Sequence, residues 1–277
     1  MNTRIVIPIY KKTLSKSEKQ SIEQCFKILC DYPVSIVTHK ELDTTEYCLA
    51  AQKVNVTPVM EYFDKRYFAS TTSYNRLLLS KDFYLRFADD DYILIYQLDG
   101  FVFRDELADW CSKGFDYIGA PWFEHYGRDK WAKSLKLYRV GNGGVSLRKV
   151  AAFLDRFDKP MPLSIIPFYV KNIRKKGMIT MMFKLLKMMF LLLLTNRTIE
   201  YYLQYFTDER VQEDCFWSDG LSDTSLAFDI PDIMTAASFC MERHPSYLYR
   251  QTGERLPFAC HAYEKYEYEE FWGKYIS

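Results

Sequence analysis

Tyr92-Ile-Leu-Ile-Tyr-Gln-Leu-Asp99 is the stretch on which the fold turns. Residues 92–97 form a nearly unbroken apolar run of strand length flanked by acidic residues, the pattern of a central parallel strand covered on both faces. Outward from it, residues 4–10 read as a second buried strand and residues 15–30 as an amphipathic helix. Val34–Thr38 then reads as a strand following Pro33, which makes a β-α-β opening. A helix near 70–80, a helix over 104–113, a strand at 116–119 and a Gly-rich strand over 140–148 continue the alternation of an α/β domain. The sequence shows no internal repeat and no Pro/Ser-rich linker.

The chain's 277 residues suffice for one large core or two small ones. Its 22 Tyr, 20 Phe and 5 Trp exclude a disordered or solvating polymer. The 37 basic and 36 acidic side chains nearly cancel, which removes the global field that non-specific nucleic-acid binding needs, so any anion site must be local. Seven cysteines, odd in number and never in CxxC spacing, indicate neither a zinc site nor a disulfide framework and fit a reducing cytosol. Met-Asn-Thr-Arg leads directly into the first strand without the pattern of a signal peptide, and the expectation is a cytoplasmic protein.

In open α/β sheets ligands bind beyond the carboxyl ends of the strands, which places Asp99 where a carboxylate can hold Mg²⁺ or Mn²⁺ against a diphosphate. Gly100 follows, and a simple Asp-Gly turn explains the pair equally well. The triplet Asp89-Asp90-Asp91 precedes the strand and is expected to be a solvated loop at the wrong edge of the sheet. In Val140-Gly-Asn-Gly-Gly-Val-Ser-Leu-Arg148 the glycines allow backbone to approach a ligand, beside Asn142, Ser146 and Arg148 as hydrogen-bonding groups for sugar or phosphate. A bulged strand or tight turn accounts for the glycines as well, and neither a P-loop nor a dinucleotide fingerprint is present. Glu213-Asp214 opens a helical turn with Phe216 and Trp217; one carboxylate facing a cleft and a helix-capping pair are both open. His261 is a possible metal ligand or a hydrogen-bonded structural histidine, while His39, His125 and His244 carry no pattern.

These segments, with Ile5-Val-Ile-Pro-Ile-Tyr10 and Phe258-Ala-Cys-His261, occur in an order that resembles a bacterial glycosyltransferase-like family long described as a domain of unknown function. The order more distantly resembles the GT-A superfamily. The resemblance spans most of the chain but not residues 159–199. It implies a Rossmann-like GT-A nucleotide-sugar-binding fold with a mixed, mainly parallel sheet, a divalent metal held by an Asp-x-Asp motif and a later His, and a base from a Glu-Asp segment. Here Gln97 replaces the first Asp of that motif and offers only a neutral amide oxygen, so Asp99 carries the contact alone or with weaker support. Carried onto this chain, Asp99 and His261 are metal ligands. Gln97, Asn142, Gly143, Gly144 and Arg148 are donor contacts, and Asp214 or Glu213 is the base.

The implied reaction moves a sugar from a nucleotide-diphosphate sugar to a hydroxyl of a glycan acceptor, a bacterial surface glycan or its lipid-linked precursor. Direct displacement inverts the anomeric centre, although a retaining reaction uses the same metal site with different faces. Two other classes compete: a non-catalytic carbohydrate-binding protein rich in aromatics, and a glycoside hydrolase with Glu213 and Asp99 flanking the bond.

The expected organisation is a nucleotide-sugar-binding core over 1–158, a basic apolar helical insertion over 159–199 and an acceptor-side part over 200–277. The insertion has eight basic residues and no acidic one. Lys184 and Lys187 interrupt its apolar run, which disfavours spanning a bilayer and suits a helix lying on an anionic membrane surface through 171–197. A helix packed on the protein's own core or on a second subunit is the alternative.

Overall fold

The computed structural model describes residues 1–124, 135–173, 178–206 and 212–276. The chain opens as β1 (Thr3–Pro8), α1 (Lys16–Ile28), β2 (Val34–Thr38), α2 (Thr45–Gln52) and β3 (Val59–Tyr62). Two helices, α3 (Thr71–Leu78) and α4 (Lys81–Leu85), then lead into β4 (Tyr92–Tyr96). α1 begins where it does because Ser15 and Glu18 close a capping box, each side chain accepting from the other's backbone N–H. Beyond β4 come β5 (Phe101–Val102), α5 (Leu107–Ser112), β6 (Tyr117–Ile118), β7 (Pro121–Phe123), β8 (Leu137–Val140), β9 (Val145–Lys149) and α6 (Val150–Asp158).

Six strands form one sheet in the order β3-β2-β1-β4-β9-β6. β1 to β4 are parallel, β9 runs antiparallel to β4, and β6 antiparallel to β9. The sheet is therefore mixed and mainly parallel, and β4 is central, though parallel to its neighbour on one flank only. Tyr92, Leu94 and Tyr96 join the core on one face with Ile5, Ile7 and Phe26, while Ile93 and Ile95 join the core on the other with Val6, Phe83 and Phe153. Burial on both faces is why the run is continuous rather than alternating.

Two sequence expectations change. The acidic triplet does lie at the amino end of β4, and Asp89 is exposed. Asp90, however, is buried and ion-paired with Arg4 at 2.7 Å, because β1 delivers that arginine alongside, and Asp91 accepts from the Asn2 N–H at 2.8 Å. The Gly-rich segment is also not one strand. β8 ends at Val140 and pairs with β7 in a separate sheet, β9 begins at Val145 opposite Tyr96, and 141–144 connect them past the end of β4.

Three helices follow, α7 (Ile166–Ile173), α8 (Met178–Leu194) and α9 (Ile199–Phe206). The excursion closes on itself: the Ile199 N–H donates to the Lys159 carbonyl at 2.8 Å and the Met161 N–H to the Arg197 carbonyl at 3.1 Å. α8 buries Met188 against the same core cluster as α6 and α9. Among the described residues no helix is long and apolar enough to cross a membrane. After a π-helical turn at Cys215–Gly220 come α10 (Ile233–Phe239), β10 (Cys240–Met241), α11 (Pro245–Gln251) and β11 (Ala259–Cys260). β11 pairs parallel with β10 and antiparallel with β5, which returns the C-terminal part to the carboxyl end of β4.

Candidate active site at the carboxyl end of the central strand

Past Tyr96 the chain turns at once, the Gly100 N–H donating to the Gln97 carbonyl at 2.9 Å. Glycine is needed there, since a Cβ would stand 2.6 Å from Val145 Cγ2. The Ser21 hydroxyl of α1 donates to the Gly100 carbonyl at 2.6 Å and holds the turn against the core. Asp99 is left at the edge, its side chain 38% exposed.

The antiparallel pairing of β5 with β11 sets Phe101 opposite Cys260, so His261, next beyond that pair, comes beside the Asp99-Gly100 turn at the end of the small sheet. His261 Nε2 lies 3.1 Å from Asp99 Oδ1, and its Nδ1 lies 3.4 Å from Glu242 Oε1. Glu242 arrives because β10 is paired in parallel with β11, Met241 opposite Cys260. The ring is buried, yet neither nitrogen has a well-aligned hydrogen-bond partner. Glu242 also accepts from Asn142 Nδ2 at 3.1 Å, and Asn142 Oδ1 accepts from the Gly144 N–H at 3.0 Å. Lys265 Nζ stands 4.0 Å from Asp99 Oδ2. Burial disfavours charge on both partners but their attraction prevails. Asp99 is held below the usual carboxylate range by His261 and Lys265, and His261 is pushed up to about 10 by Asp99 and Glu242.

The glycines serve this cluster differently from the expectation that they admit a ligand. A Cβ on Gly144 would lie 2.0 Å from His261 Nε2, and one on Gly143 would lie 2.6 Å from Glu213 Oε1 and 3.3 Å from Asp214 Cβ. The bare backbone lets the protein's own functional side chains close in. Gly144 is tied to the turn by its carbonyl, which accepts from the Gln97 N–H at 2.9 Å, and the Gly143 N–H donates to Asp214 Oδ2 at 3.2 Å. The Gln97 amide itself stands beside the Tyr74 hydroxyl of α3.

Arg148 and Glu213 form the floor. The guanidinium is fully buried and binds Glu213 through two contacts, Nη2 to Oε1 at 2.7 Å and Nη1 to Oε2 at 3.1 Å. Its remaining donors go to the Tyr84 hydroxyl, Ser146 Oγ and the Gly143 carbonyl, and its plane lies near the Tyr117 and Phe153 rings. Arg148 thus faces Glu213 rather than a sugar or phosphate. Burial raises the Glu213 carboxyl, against the opposing pull of Arg148, and both of its oxygens are occupied. Asp214 is only half-buried and accepts from the Gly143 and Cys215 N–H groups, so it both caps the π-helical turn and faces the glycine loop. Burial, then the neighbouring Glu213 charge, push it up to about 7 against those two hydrogen bonds.

Glu242, Lys265 and Asn75, whose side chain accepts from the Glu213 N–H at 3.0 Å, were not legible as site residues. Cys240-Met241-Glu242 repeats the apolar-then-acidic signal of β4 and Asp99, but a two-residue strand is too short for periodicity to reveal. His39 lines a cleft of about 700 Å³ with Phe63, Lys65, Tyr67 and Arg86, beside the residues that follow β2 and β3 and apart from the Asp99 cluster. His125 lies outside the described residues.

Among the described residues no three His, Cys, Asp or Glu side chains converge as a complete metal cage. Mn²⁺ or Mg²⁺ does not require one, because such ions are commonly held by one or two protein groups together with substrate phosphates. The donor set fits once the ring gives up the proton that Asp99 and Glu242 favour, as a cation bound there requires: a partly exposed carboxylate oxygen, and an imidazole nitrogen whose other face is backed by Glu242.

A family model described as protein of unknown function, DUF5672, matches residues 58–261. No curated protein matches the chain. Among solved structures, it is similar to core-mannan synthase A from Aspergillus fumigatus in its Mn/GDP form, at 9% identity and TM-score 0.40, covering 55% of this chain and 60% of the synthase. It is also similar to xyloside xylosyltransferase 1 from mouse, at 12% identity and TM-score 0.46, covering 94% and 97%. A third similar structure is the glycosyltransferase GlyE of Streptococcus pneumoniae TIGR4, at 12% identity and TM-score 0.42, covering 95% and 55%. The chain spans 60% of the length of the mannan synthase.

Proposed function

The chain belongs to the family described as protein of unknown function, DUF5672, and we propose that it is a metal-dependent glycosyltransferase of the GT-A kind. In this reading it moves a sugar from a nucleotide-diphosphate donor to a hydroxyl of a glycan acceptor. The observation that carries the reading is the convergence, at the carboxyl end of β4, of an Asp99–His261 pair with Asp214, a half-buried carboxylate balanced near neutrality on the adjoining glycine loop.

Asp99 and His261 are the groups that would hold Mn²⁺ or Mg²⁺, with Glu242 and Asn142 keeping the imidazole in place. Bound there, the cation neutralises the departing nucleoside diphosphate. Lys265, beside Asp99, is placed to add positive charge at the same diphosphate. Asp214 takes the proton of the acceptor hydroxyl as its oxygen bonds to the anomeric carbon and the bond to the diphosphate breaks. A single base on the acceptor side supports direct displacement with inversion. Glu213 is unsuited to the role because both its oxygens bind Arg148, and this also weakens a hydrolase reading that pairs it with Asp99. The donor's base has a place in the cleft after β2 and β3, on the same carboxyl edge of the sheet. The acceptor is proposed to be a surface glycan or its lipid-linked precursor.

A panel of nucleotide sugars, assayed for hydrolysis and transfer with Mn²⁺, Mg²⁺ or chelator, tests the proposal, and NMR of the product anomer reports its stereochemistry. Metal-dependent consumption of a nucleotide sugar that Asp99→Ala and Asp214→Asn both suppress is the expected result. Activity on glycosides without any nucleotide, or binding of sugars with no affinity for nucleotides, would replace it with the hydrolase or the binding protein.

A further inference from the structure

We infer that the outward face of α8 docks this protein on an anionic lipid surface, the helix lying in the headgroup layer. Met182, Phe183, Leu186, Phe190, Leu193 and Leu194 are each between 53% and 67% exposed. At about 100° per residue these six positions fall within one arc of about 120° on the helix. Exposed Lys187 borders that arc, while Met188 on the opposite side is buried in the core and Leu185, Leu191 and Leu192 pack against it. An ordinary surface helix puts charge outward; this one puts six large apolar side chains there, a contiguous patch of the sort that marks an interaction surface.

Charge identifies the occupant. Residues 159–199 carry eight basic residues and no acidic one; Lys187 and Arg197 are exposed, and exposed Lys171 is ion-paired with Asp219 at 3.4 Å. A second copy seated on the same face by two-fold symmetry would bring these like charges together. Anionic headgroups satisfy both parts, taking the apolar arc into the acyl boundary and the lysines among the phosphates. Crossing is excluded for this helix by its length and by Lys184 and Lys187 within it. The inference is independent of glycosyl transfer, since docking is measured without donor or metal.

The test is flotation of the full chain with vesicles of phosphatidylcholine alone and of equal parts phosphatidylcholine and phosphatidylglycerol. Binding to the anionic vesicles only, weakened by salt, is expected. Phe190→Ser should lower the partition coefficient at least about tenfold and Lys187→Ala about fivefold, with circular dichroism and Tm unchanged because both side chains are exposed. No binding to anionic vesicles at low salt would overturn the inference, as would binding that Phe190→Ser leaves intact. A solution dimer, seen by light scattering and dissolved by Phe190→Ser, would instead assign the face to a second copy.

Discussion

Glu213→Gln changes the charge beside Asp214 while leaving its shape nearly intact. Asp214 stands at about 7 because of burial and because Glu213 is charged beside it. Glu213 Oε1 and Asp214 Cβ lie 2.6 and 3.3 Å from one point, the position of a Cβ on Gly143. Glu213 Oε1 is therefore no more than about 6 Å from Asp214 Cβ, and two unit charges about 6 Å apart repel by about 3 kcal/mol at an effective dielectric constant of about 20, or about two pH units. Gln removes the repulsion and leaves the Arg148 charge unopposed, which also favours ionised Asp214. Since the base must be ionised to accept a proton, turnover rises with pH through its pKa. The acidic limb of kcat therefore moves to lower pH by about one to two units, with the plateau retained. The same change removes the counter-charge of a fully buried arginine and costs on the order of 3 kcal/mol of stability, less whatever one amide hydrogen bond returns. The assay is kcat against pH for donor hydrolysis by both proteins, at a temperature where melts show both folded. A folded Glu213→Gln protein inactive at every pH would make Glu213 the base, and an active variant with an unmoved limb would refute the electrostatic coupling.

Asp214→Asn should lower kcat by about 10²–10⁴ with donor affinity little changed, read from steady-state kinetics and donor titration. A carboxyl raised from its usual value stabilises the native state below about pH 4 and loses that contribution as pH climbs through 7. Asp214→Asn should therefore melt above the wild type at pH 8, with the gap closing by pH 4, as thermal unfolding at the two pH values will show. Asp99→Ala and His261→Ala should each remove metal-dependent donor binding by calorimetry. Asp89→Ala should be silent, and Asp90→Ala should cost about 1–2 kcal/mol through Arg4 without touching turnover. Gly144→Ala drives a methyl to within 2.0 Å of His261 Nε2; displacement of the ring should lower Mn²⁺ affinity about 10- to 100-fold, and an unaltered titration would show that His261 does not bind metal.

The amino-acid sequence alone determined the frame. A continuous apolar run at 92–96 can be satisfied only by cover on both faces, and the β-α-β opening follows from periodicities carried within short windows. Those local signals also determined that Asp99 would emerge at the carboxyl edge of the sheet and the acidic triplet at the other. The role of the glycines at 143 and 144 was beyond their reach, because the atoms that forbid a Cβ there belong to Glu213 and His261, far away in the chain. For the same reason Arg148 read as a ligand contact until its bidentate partner came into view. Asp90 read as solvated until β1 brought Arg4 beside it. Glu242 was invisible because a two-residue strand has no period. Only the pairings of β5, β11 and β10 set it behind His261 and His261 against Asp99. Composition and periodicity act over a few residues and decide which segments are buried. The site is made of groups that meet only when strands distant in sequence share hydrogen bonds, and that is settled by the tertiary structure.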